Sequence, residues 1–226
     1  MFAGQNGAGS NNANEEINAL GNHLGTYEIT YDLDKENIHY SLYHNSLFED
    51  RSGRELNNFP DGVWGLYITP KNHKWIKGIL YEYAQTVSQS GRPIFSSDAN
   101  LGQQSGGDNY FVNGVYTSGW TYEGVTIGLP FINPINPPIN NRIIAHHLGV
   151  KGVLKSIEFT TKLTYLQNLG TFRNQFPERE KKLLSYLEIV YDTEKYGNFN
   201  AIIGADTSNI NDNAFAVGVG YKYSLN

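Results

Sequence analysis

The sequence contains no cysteine and no long apolar run. Among 226 residues, the absence of cysteine excludes disulfides, zinc–thiolate sites and thiol catalysis. No apolar run approaches the roughly 20 residues that a membrane-spanning helix requires. Positive charge is in deficit too, because the formal net charge is -5. Since a nucleic-acid-binding protein carries a basic stripe, we expect no nucleic-acid partner.

Aromatic residues are abundant in spite of a modest apolar content. The chain has 16 Tyr, 11 Phe and 3 Trp, while all apolar residues together make up 39% of it. In the last stretch, Ala214–Leu225, apolar and aromatic residues alternate with small or polar residues. Alternation with a period of two places the two sets on opposite faces of a strand. The apolar set comprises Phe215, Val217, Val219, Tyr221, Tyr223 and Leu225.

The same alternation predicts eight further strands. Together with the last stretch, the nine strands are Asn22–Asp34, Ile38–Asn45, Gly62–Thr69, Trp75–Val87, Arg142–Val150, Val153–Tyr165, Lys182–Asp192, Asn198–Asp206 and Ala214–Leu225. Connections alternate in length along the chain. The short ones are predicted at Lys35–Asn37, Pro70–Lys74, Lys151-Gly152 and Thr193–Gly197. The long ones are predicted at Ser46–Asp61, Ser88–Asn141, Leu166–Lys181 and Thr207–Asn213.

These features predict an all-β fold, an antiparallel transmembrane β-barrel in the outer membrane. Such barrels have short periplasmic turns, long outer loops, an apolar outside and a polar inside. Residues 1–21 are expected to form a flexible loop, and residues 22–226 the barrel, with residues 88–141 as a long extracellular loop. Because bacterial barrels have an even number of strands, nine strands predict the C-terminal half of a larger barrel. The absence of a signal peptide at Met1–Ser10 agrees with a missing front part. Outer-membrane lipid and the barrel assembly machinery are then the expected partners.

The long loop carries a mixture of aromatic and polar residues that suits carbohydrate. Aromatic rings stack on the C–H faces of sugars, while polar neighbours bind the hydroxyl groups. The candidate carbohydrate-binding residues are Asp108, Asn109, Tyr110, Tyr116, Trp120 and Tyr122. The alternative is that these residues only pack the loop into a plug over the barrel. Asn109–Val112 and Trp120–Ile127 are expected to pair as a hairpin within the loop.

No motif in the sequence predicts catalysis, a metal or a cofactor. His146 and His147 are adjacent, so on a strand they point to opposite faces and do not share a metal ion. We expect His147, with Arg142 beside it, to line a polar lumen. The acidic and basic residues of 49–55 are interpreted as a salt-linked loop, since glycosidase chemistry requires two carboxyl groups held across a sugar.

Four stretches resemble the Wzi-type capsule assembly proteins of Gram-negative bacteria, in their Bacteroidetes form. They are Tyr43–Leu66, Gly78–Tyr83, Gly106–Ile132 and Asn140–Val150. The resemblance implies an eighteen-stranded outer-membrane barrel, of which nine strands are one half. It also implies a lectin-like, non-enzymatic protein that retains capsular polysaccharide at the cell surface. Two alternatives remain open at this point: a pore or transporter for small solutes, and a soluble β-sandwich that binds carbohydrate.

Overall fold

A computed structural model describes residues 25–48, 51–91, 107–112, 119–133, 135, 137–193 and 195–223. The loop expected at residues 1–21 lies outside these residues. The described elements are the strands β1 (Gly25–Asp34), β2 (Ile38–Phe48), β3 (Gly62–Pro70), β4 (Ile76–Gln85), β5 (Thr121–Tyr122), β6 (Val125–Thr126), β7 (Ile143–Leu154), β8 (Ile157–Gly170), β9 (Gln175–Asp192), β10 (Asn198–Ser208) and β11 (Ala214–Lys222), and one short helix, α1 (Arg51–Arg54). No helix among the described residues is long and apolar enough to cross a membrane.

Nine of the strands form one antiparallel sheet whose order follows the chain, from β1 through β4 directly to β7 and on to β11. Strands β5 and β6 form a separate hairpin inside the connection between β4 and β7. Within the described part of the chain, β1 and β11 each pair on one side only, so the sheet is open at both edges. The prediction of an all-β protein with nine antiparallel strands is therefore confirmed. The described residues do not close the sheet into a barrel.

The register of the strands gives the sheet two different faces. Paired residues such as Tyr31 and Leu42, or Ile203 and Val217, point to the same side, and every second residue of each strand joins them. We call this side the apolar face. It is uncovered over wide areas: Ile29 is 72% exposed and Val219 86% exposed. The opposite side, which we call the polar face, carries residues such as Glu28, which is paired with Asn45.

The hydrophobic core lies on the polar face, at the end of the sheet from which the β4–β7 connection leaves. There Ala84, Ala145 and Leu166 follow one another across three neighbouring strands. Loop residues pack on them and complete the core. The buried core is formed by Leu47, Ala84, Tyr110, Phe111, Leu129, Ile132, Ile143, Ala145 and Leu166. The described parts of the β4–β7 connection thus cover one end of the polar face, while the apolar face is contacted at one corner by Phe59 of the β2–β3 connection, which packs against His44 and Trp64.

The turn predicted at Lys151-Gly152 is wrong. Strand β7 continues through both residues to Leu154, and the turn to β8 lies at residues 155–156, where Lys155 has a φ of 59°. The sequence indicates a turn because of Gly152, but this glycine is required within the strand for a steric reason. A Cβ atom at this position would lie 2.3 Å from the carbonyl oxygen of Trp75, which accepts a hydrogen bond from the Val153 amide at 2.8 Å. Glycine is needed here for the close approach of a neighbouring chain segment.

The long loop predicted at Leu166–Lys181 is also wrong. Strand β8 runs on to Gly170 and β9 begins at Gln175, so only a tight turn at residues 171–174 separates them. The charges at the start of β9 suggested a loop, but most of them are solvent-exposed on a strand. The connections at one end of the sheet are therefore longer than those at the other end because of only two of them, residues 49–61 and 86–142.

The hairpin in the long connection forms differently from the prediction. Thr121 and Tyr122 pair with Thr126 and Val125, so the hairpin lies wholly within the expected second strand. The expected first strand contributes one backbone hydrogen bond, from the Trp120 amide to the Phe111 carbonyl oxygen at 3.2 Å. The tight turn uses positive φ angles at Glu123 and Gly124.

Candidate functional site: the loop that covers the polar face

A single buried carboxylate, Asp61, fixes the start of the long connection to the sheet. Its Oδ1 atom accepts hydrogen bonds from the amides of Val87 and Ser88 at 2.9 and 2.8 Å. Its Oδ2 atom accepts from the Gln89 amide at 2.8 Å and from the Tyr110 hydroxyl at 3.0 Å. Asp61 itself has no exposed surface. One side chain thus satisfies three backbone donors as the chain leaves β4, which determines the direction in which the loop begins.

Tyr110, further along the long loop, bonds to the same carboxylate. Its side chain is fully buried, and its hydroxyl group also accepts a hydrogen bond from the Asn58 amide at 3.0 Å. Asn58 in turn donates to the carbonyl oxygen of Leu47 at 2.7 Å. The tyrosine therefore joins the β2–β3 connection and the β4–β7 connection through one hydroxyl group.

The loop returns to the sheet through Asn141. The Thr86 hydroxyl donates to its carbonyl oxygen at 2.7 Å, and the Gln89 amide group donates to its Oδ1 atom at 3.2 Å. The Asn141 amide group donates to Asn109 Oδ1 at 2.5 Å. The residues before and after the loop are thereby bonded to each other, so the described parts of the loop are tied at both ends.

A second polar cluster holds the far side of the loop against β8 and β9. The Asn140 amide group donates to Asn168 Oδ1 at 2.9 Å, and the Asn168 amide group donates to Glu180 Oε2 at 2.6 Å. Glu180 also forms a salt bridge with Lys182 at 3.1 Å and accepts a hydrogen bond from Asn211. We call the described parts of the β4–β7 connection, within residues 86–142, the cap. Buried polar groups joined in this way make the cap rigid, since each would cost free energy if it were left unpaired.

Burial shifts the acidity of the two central groups. Loss of solvent raises the pKa of the Asp61 carboxyl above its usual value of 3.8, while the backbone amides and the Tyr110 hydroxyl act in the opposite direction. The pKa of the Tyr110 hydroxyl is also raised, first by burial and then by the nearby Asp61 charge. Tyr110 therefore remains protonated and acts as a donor to Asp61.

The predicted carbohydrate-binding residues divide into buried and exposed groups. Tyr110 is fully buried and bonded to Asn58 and Asp61, so its ring has no exposed face to offer a ligand. Asp108 is half-buried and accepts hydrogen bonds from the Ser90 hydroxyl at 2.6 Å and the Ser52 hydroxyl at 3.4 Å. Asn109 is exposed, and Tyr116 lies outside the described residues. For Tyr110, the structure agrees with the interpretation that aromatic residues pack the loop.

Trp120 and Tyr122 behave differently from Tyr110. They lie at the start of the β5–β6 hairpin, and their exposed fractions are 37% and 70%. Thr126, on the returning strand of the hairpin, is buried and donates its hydroxyl group to the Ile132 carbonyl oxygen at 2.9 Å. The hairpin is thus fastened to the cap on one side and presents two aromatic side chains to solvent.

The two residues expected to line a lumen have different environments. His147 lies on the polar face, and its Nδ1 atom is 2.7 Å from the Thr164 hydroxyl. His146 lies on the apolar face, with its Nδ1 atom 2.8 Å from the Tyr81 hydroxyl. Arg142 precedes β7 and is nearly buried; it donates to the Val87 carbonyl oxygen at 3.1 Å and lies over the Phe172 ring. The adjacent histidines therefore point to opposite faces. Arg142 helps to hold the start of the long loop through the Val87 carbonyl oxygen.

Sequence reasoning did not find the residues that hold the cap, chiefly Asn58, Asp61, Gln89 and Asn141. Their partners lie far along the chain: Asp61 bonds to residues 85, 87, 88, 89 and 110, and Gln89 to residue 141. A single Asp before a strand or a single Asn after a Pro-rich stretch has no local signature of such contacts. The described residues contain no group of three or more His, Asp or Glu side chains suited to a metal ion.

The arrangement is chemically suited to binding. The buried carboxyl groups are occupied by structural hydrogen bonds, while the exposed groups are aromatic, amide and hydroxyl side chains. No family model, curated protein or solved structure matches this chain.

Proposed function

We propose that the chain forms part of an outer-membrane β-barrel that retains capsular polysaccharide at the cell surface. The observation that carries the proposal is the contrast between the faces of the sheet. One face is apolar and largely uncovered, with the β2–β3 connection packing on it only at one corner through Phe59, whereas the other is polar and is covered by a long loop at one end only. A soluble protein buries an apolar face of this extent against other protein. A barrel instead exposes such a face to lipid.

The distribution of aromatic residues on the apolar face supports a membrane setting. Residues that are paired with one another across successive strands form rows that run across the sheet. The middle row is mostly aliphatic, with Tyr40 and Thr161 as exceptions, and includes Ile68, Ile79, Val150, Leu187, Ile203 and Val217. Rows nearer the ends of the strands are richer in aromatics: Trp64, Tyr83 and Tyr165 towards the long loops, and Tyr191, Phe199 and Tyr221 towards the short turns. Transmembrane barrels have aromatic girdles at both interfaces around an aliphatic band.

The open edges agree with a barrel that contains further strands. Unpaired backbone groups at β1 and β11 cannot face hydrocarbon, so the proposed barrel needs additional strands to pair with both. Since β1 and β11 are the first and ninth strands of an antiparallel sheet, they run in the same direction. An odd number of further strands therefore gives antiparallel pairing at both seams. The eighteen strands implied by the resemblance to Wzi-type proteins satisfy this condition.

The retention of polysaccharide is assigned to the exposed side of the cap. Trp120 and Tyr122 offer aromatic surface there, with Asn109 exposed on a neighbouring part of the loop. Wide, fixed aromatic surfaces with polar neighbours bind sugars without any catalytic group. We therefore propose a lectin-like, non-enzymatic role, with capsular polysaccharide, outer-membrane lipid and the barrel assembly machinery as partners.

The proposal is tested by replacing an aromatic residue of the cap in the protein expressed in its encapsulated host. In Trp120→Ala cells, less polysaccharide should be retained on the surface and more released into the medium, because the stacking surface is lost. The control is Trp75→Ala. Trp75 is also exposed, at 52%, but it lies in a short turn at the opposite end of the sheet. The amount of protein in the outer membrane is measured in both strains.

Three outcomes are distinguishable. Loss of retention in Trp120→Ala but not in Trp75→Ala, at equal protein levels, supports the proposal. Equal retention in both variants contradicts the assignment of the binding surface. Ion conductance by the purified protein in planar bilayers, without any affinity for polysaccharide, would favour a pore for small solutes instead.

A further inference from the structure

Two lysines on the polar face have no carboxylate partner among the described residues. Lys151 of β7 is paired with Thr160, and Lys162 of β8 is paired with Gly149, so the lysines are diagonal neighbours on adjacent strands. Such positions are roughly 7–8 Å apart. Both side chains are exposed, and neither forms a salt bridge, although Lys71 and Lys182 do. The two lysines therefore start from neighbouring positions at the centre of the sheet, and their side chains extend towards opposite flanks, that of Lys151 towards β3 and that of Lys162 towards β9.

Each of these lysines lies over a tyrosine ring. The Lys151 ammonium group is 5.6 Å from the ring centre of Tyr67, and the Lys162 ammonium group is 5.2 Å from that of Tyr186. Contacts with aromatic faces orient an ammonium group without neutralising its charge. The two tyrosines are half-buried, and they lie on opposite sides of the lysine pair, on β3 and β9. The lysines are thus pre-positioned but remain free to bind an anion.

Glycines make room beside the lysines. A Cβ atom at Gly78 would lie 2.5 Å from the Tyr67 hydroxyl oxygen and 2.9 Å from the Lys151 side chain, so these two side chains cross directly over that glycine. At Gly149 a Cβ atom would meet only Leu80 and the Nε2 atom of His147, at 3.6 and 3.8 Å among the described residues. The floor between the lysines is therefore open. We call the group formed by Tyr67, His147, Lys151, Lys162 and Tyr186 the lysine cleft.

The carboxylates of the polar face form no salt bridge with the two cleft lysines among the described residues. Glu82 binds the Tyr43 hydroxyl, and Glu28 accepts hydrogen bonds from Thr30 and Asn45, all on the side of the sheet towards β1. Glu188, paired with Thr160, is hydrogen-bonded to Tyr186 of the cleft. The two ammonium groups therefore keep their charge on a face that also carries carboxylates, in a chain whose net charge is -5.

We infer that the lysine cleft is a subsite for an anionic saccharide, with the ammonium groups on its successive carboxylate or phosphate groups and the tyrosine rings beside its C–H faces. This inference rests on the proposed function and specifies the class of polysaccharide. A neutral sugar would leave both ammonium groups without a partner, and a small inorganic anion would not use the rings. His147 Nε2, which faces the open floor at Gly149, is placed to bind a sugar hydroxyl.

The test measures the binding of glycans to the detergent-purified protein by calorimetry. The probes are oligogalacturonate, which carries carboxylates, phosphomannan, which carries phosphates, and neutral mannan. The double variant Lys151→Gln/Lys162→Gln should bind the anionic probe roughly tenfold more weakly, because charge-assisted hydrogen bonds are lost. Its affinity for neutral mannan should not change. Lys151→Arg/Lys162→Arg should restore much of the affinity, and higher salt should weaken it.

The matched control is Lys222→Gln. Lys222 is also an exposed lysine on the polar face, in β11, but no tyrosine ring or second lysine lies beside it among the described residues. Its replacement should leave the affinity unchanged. Equal losses in Lys222→Gln and in the double variant would show a general charge effect and would overturn the inference.

The remaining outcomes separate the inference from the proposed function. Preference for oligogalacturonate or for phosphomannan, lost in the double variant, supports the cleft and identifies the anionic group. Tight binding of neutral mannan that the double variant retains, with no preference for either anionic probe, overturns the cleft but leaves a lectin. Absence of binding to all three glycans contradicts the proposed function and the cleft together.

Discussion

Replacement of Asp61 by alanine should detach the long loop from the sheet while the strands stay paired. The carboxylate is the shared acceptor for the amides of residues 87, 88 and 89 and for the Tyr110 hydroxyl. All four donors would lose their acceptor, and two of them, the Gln89 amide and the Tyr110 hydroxyl, are buried. A buried donor without a partner costs about 1–3 kcal/mol, so these two alone give a loss of at least about 2 kcal/mol. That is towards the upper end of the effects of most single substitutions.

Hydrogen–deuterium exchange resolves this loss residue by residue. In Asp61→Ala, the amides of residues 87–89 and the segment around Tyr110 should exchange faster, since a local opening suffices to expose them. Amides in β8 and β9 should keep their protection. The control is Asp212→Ala, which removes an exposed carboxylate from the turn between β10 and β11. Unchanged exchange at residues 87–89 in Asp61→Ala would refute the role of Asp61 as the anchor.

The same carboxyl group should make attachment of the loop dependent on pH. Because burial raises the pKa of Asp61 in the folded state, the folded state holds this proton more tightly than the unfolded state does. Protection of the loop should therefore be greatest below pH 3.8 and fall as the pH rises through the raised pKa. Arg142 and Asp108 also act on this region, so the comparison is with Asp61→Asn, measured at each pH. A pH profile that is the same in both proteins would contradict this account.

Two further substitutions probe the two faces of the sheet. Gly65→Ala should disturb the polar face, because its Cβ atom would fall on the ring of Tyr43 and displace the hydroxyl that bonds to Glu82; lower thermal stability in detergent would show this, and an unchanged melting temperature would contradict it. Val217→Lys places a charge in the middle aliphatic row of the proposed lipid-facing surface, and should cost about 2–4 kcal/mol and reduce the yield of membrane-inserted protein. Ala216→Lys, on the polar face of the same strand, should insert normally; equal yields of the two lysine variants would argue against lipid contact.

The strands with clean alternation were predictable from the sequence. In β11, apolar residues alternate with small or polar residues without interruption, in β10 only Ile202 departs from the alternation, and the predicted and observed elements nearly coincide. Strand boundaries were predicted wrongly where one residue had two physical explanations. Gly152 looked like a turn residue, but it permits the close approach of the Trp75 carbonyl oxygen. As a consequence, Lys151 was assigned to a turn, and the pairing that brings it beside Lys162 could not be anticipated.

The loop anchor was not predictable because its bonds span long distances along the chain. Local pattern determines which face of a strand a side chain occupies, whereas the partners of Asp61 depend on how a long connection folds back. Tyr110 and Trp120 both lie in stretches of the long connection that combine Gly with polar residues, yet one is fully buried and the other is partly exposed. Composition alone suggested sugar binding for both. Only the packing of the loop on the polar face separates them.

Contact between the apolar face and lipid is the central claim, and site-directed spin labelling along β10 tests it most directly. The chain has no native cysteine, so single cysteines can be introduced without background labelling. In liposomes, labels at Ala201 and Ile203 should be accessible to oxygen and shielded from a water-soluble nickel chelate. Labels at Ile202 and Gly204, on the polar face, should show the reverse. Equal exposure of both sets to the nickel chelate would contradict insertion of the sheet into a membrane.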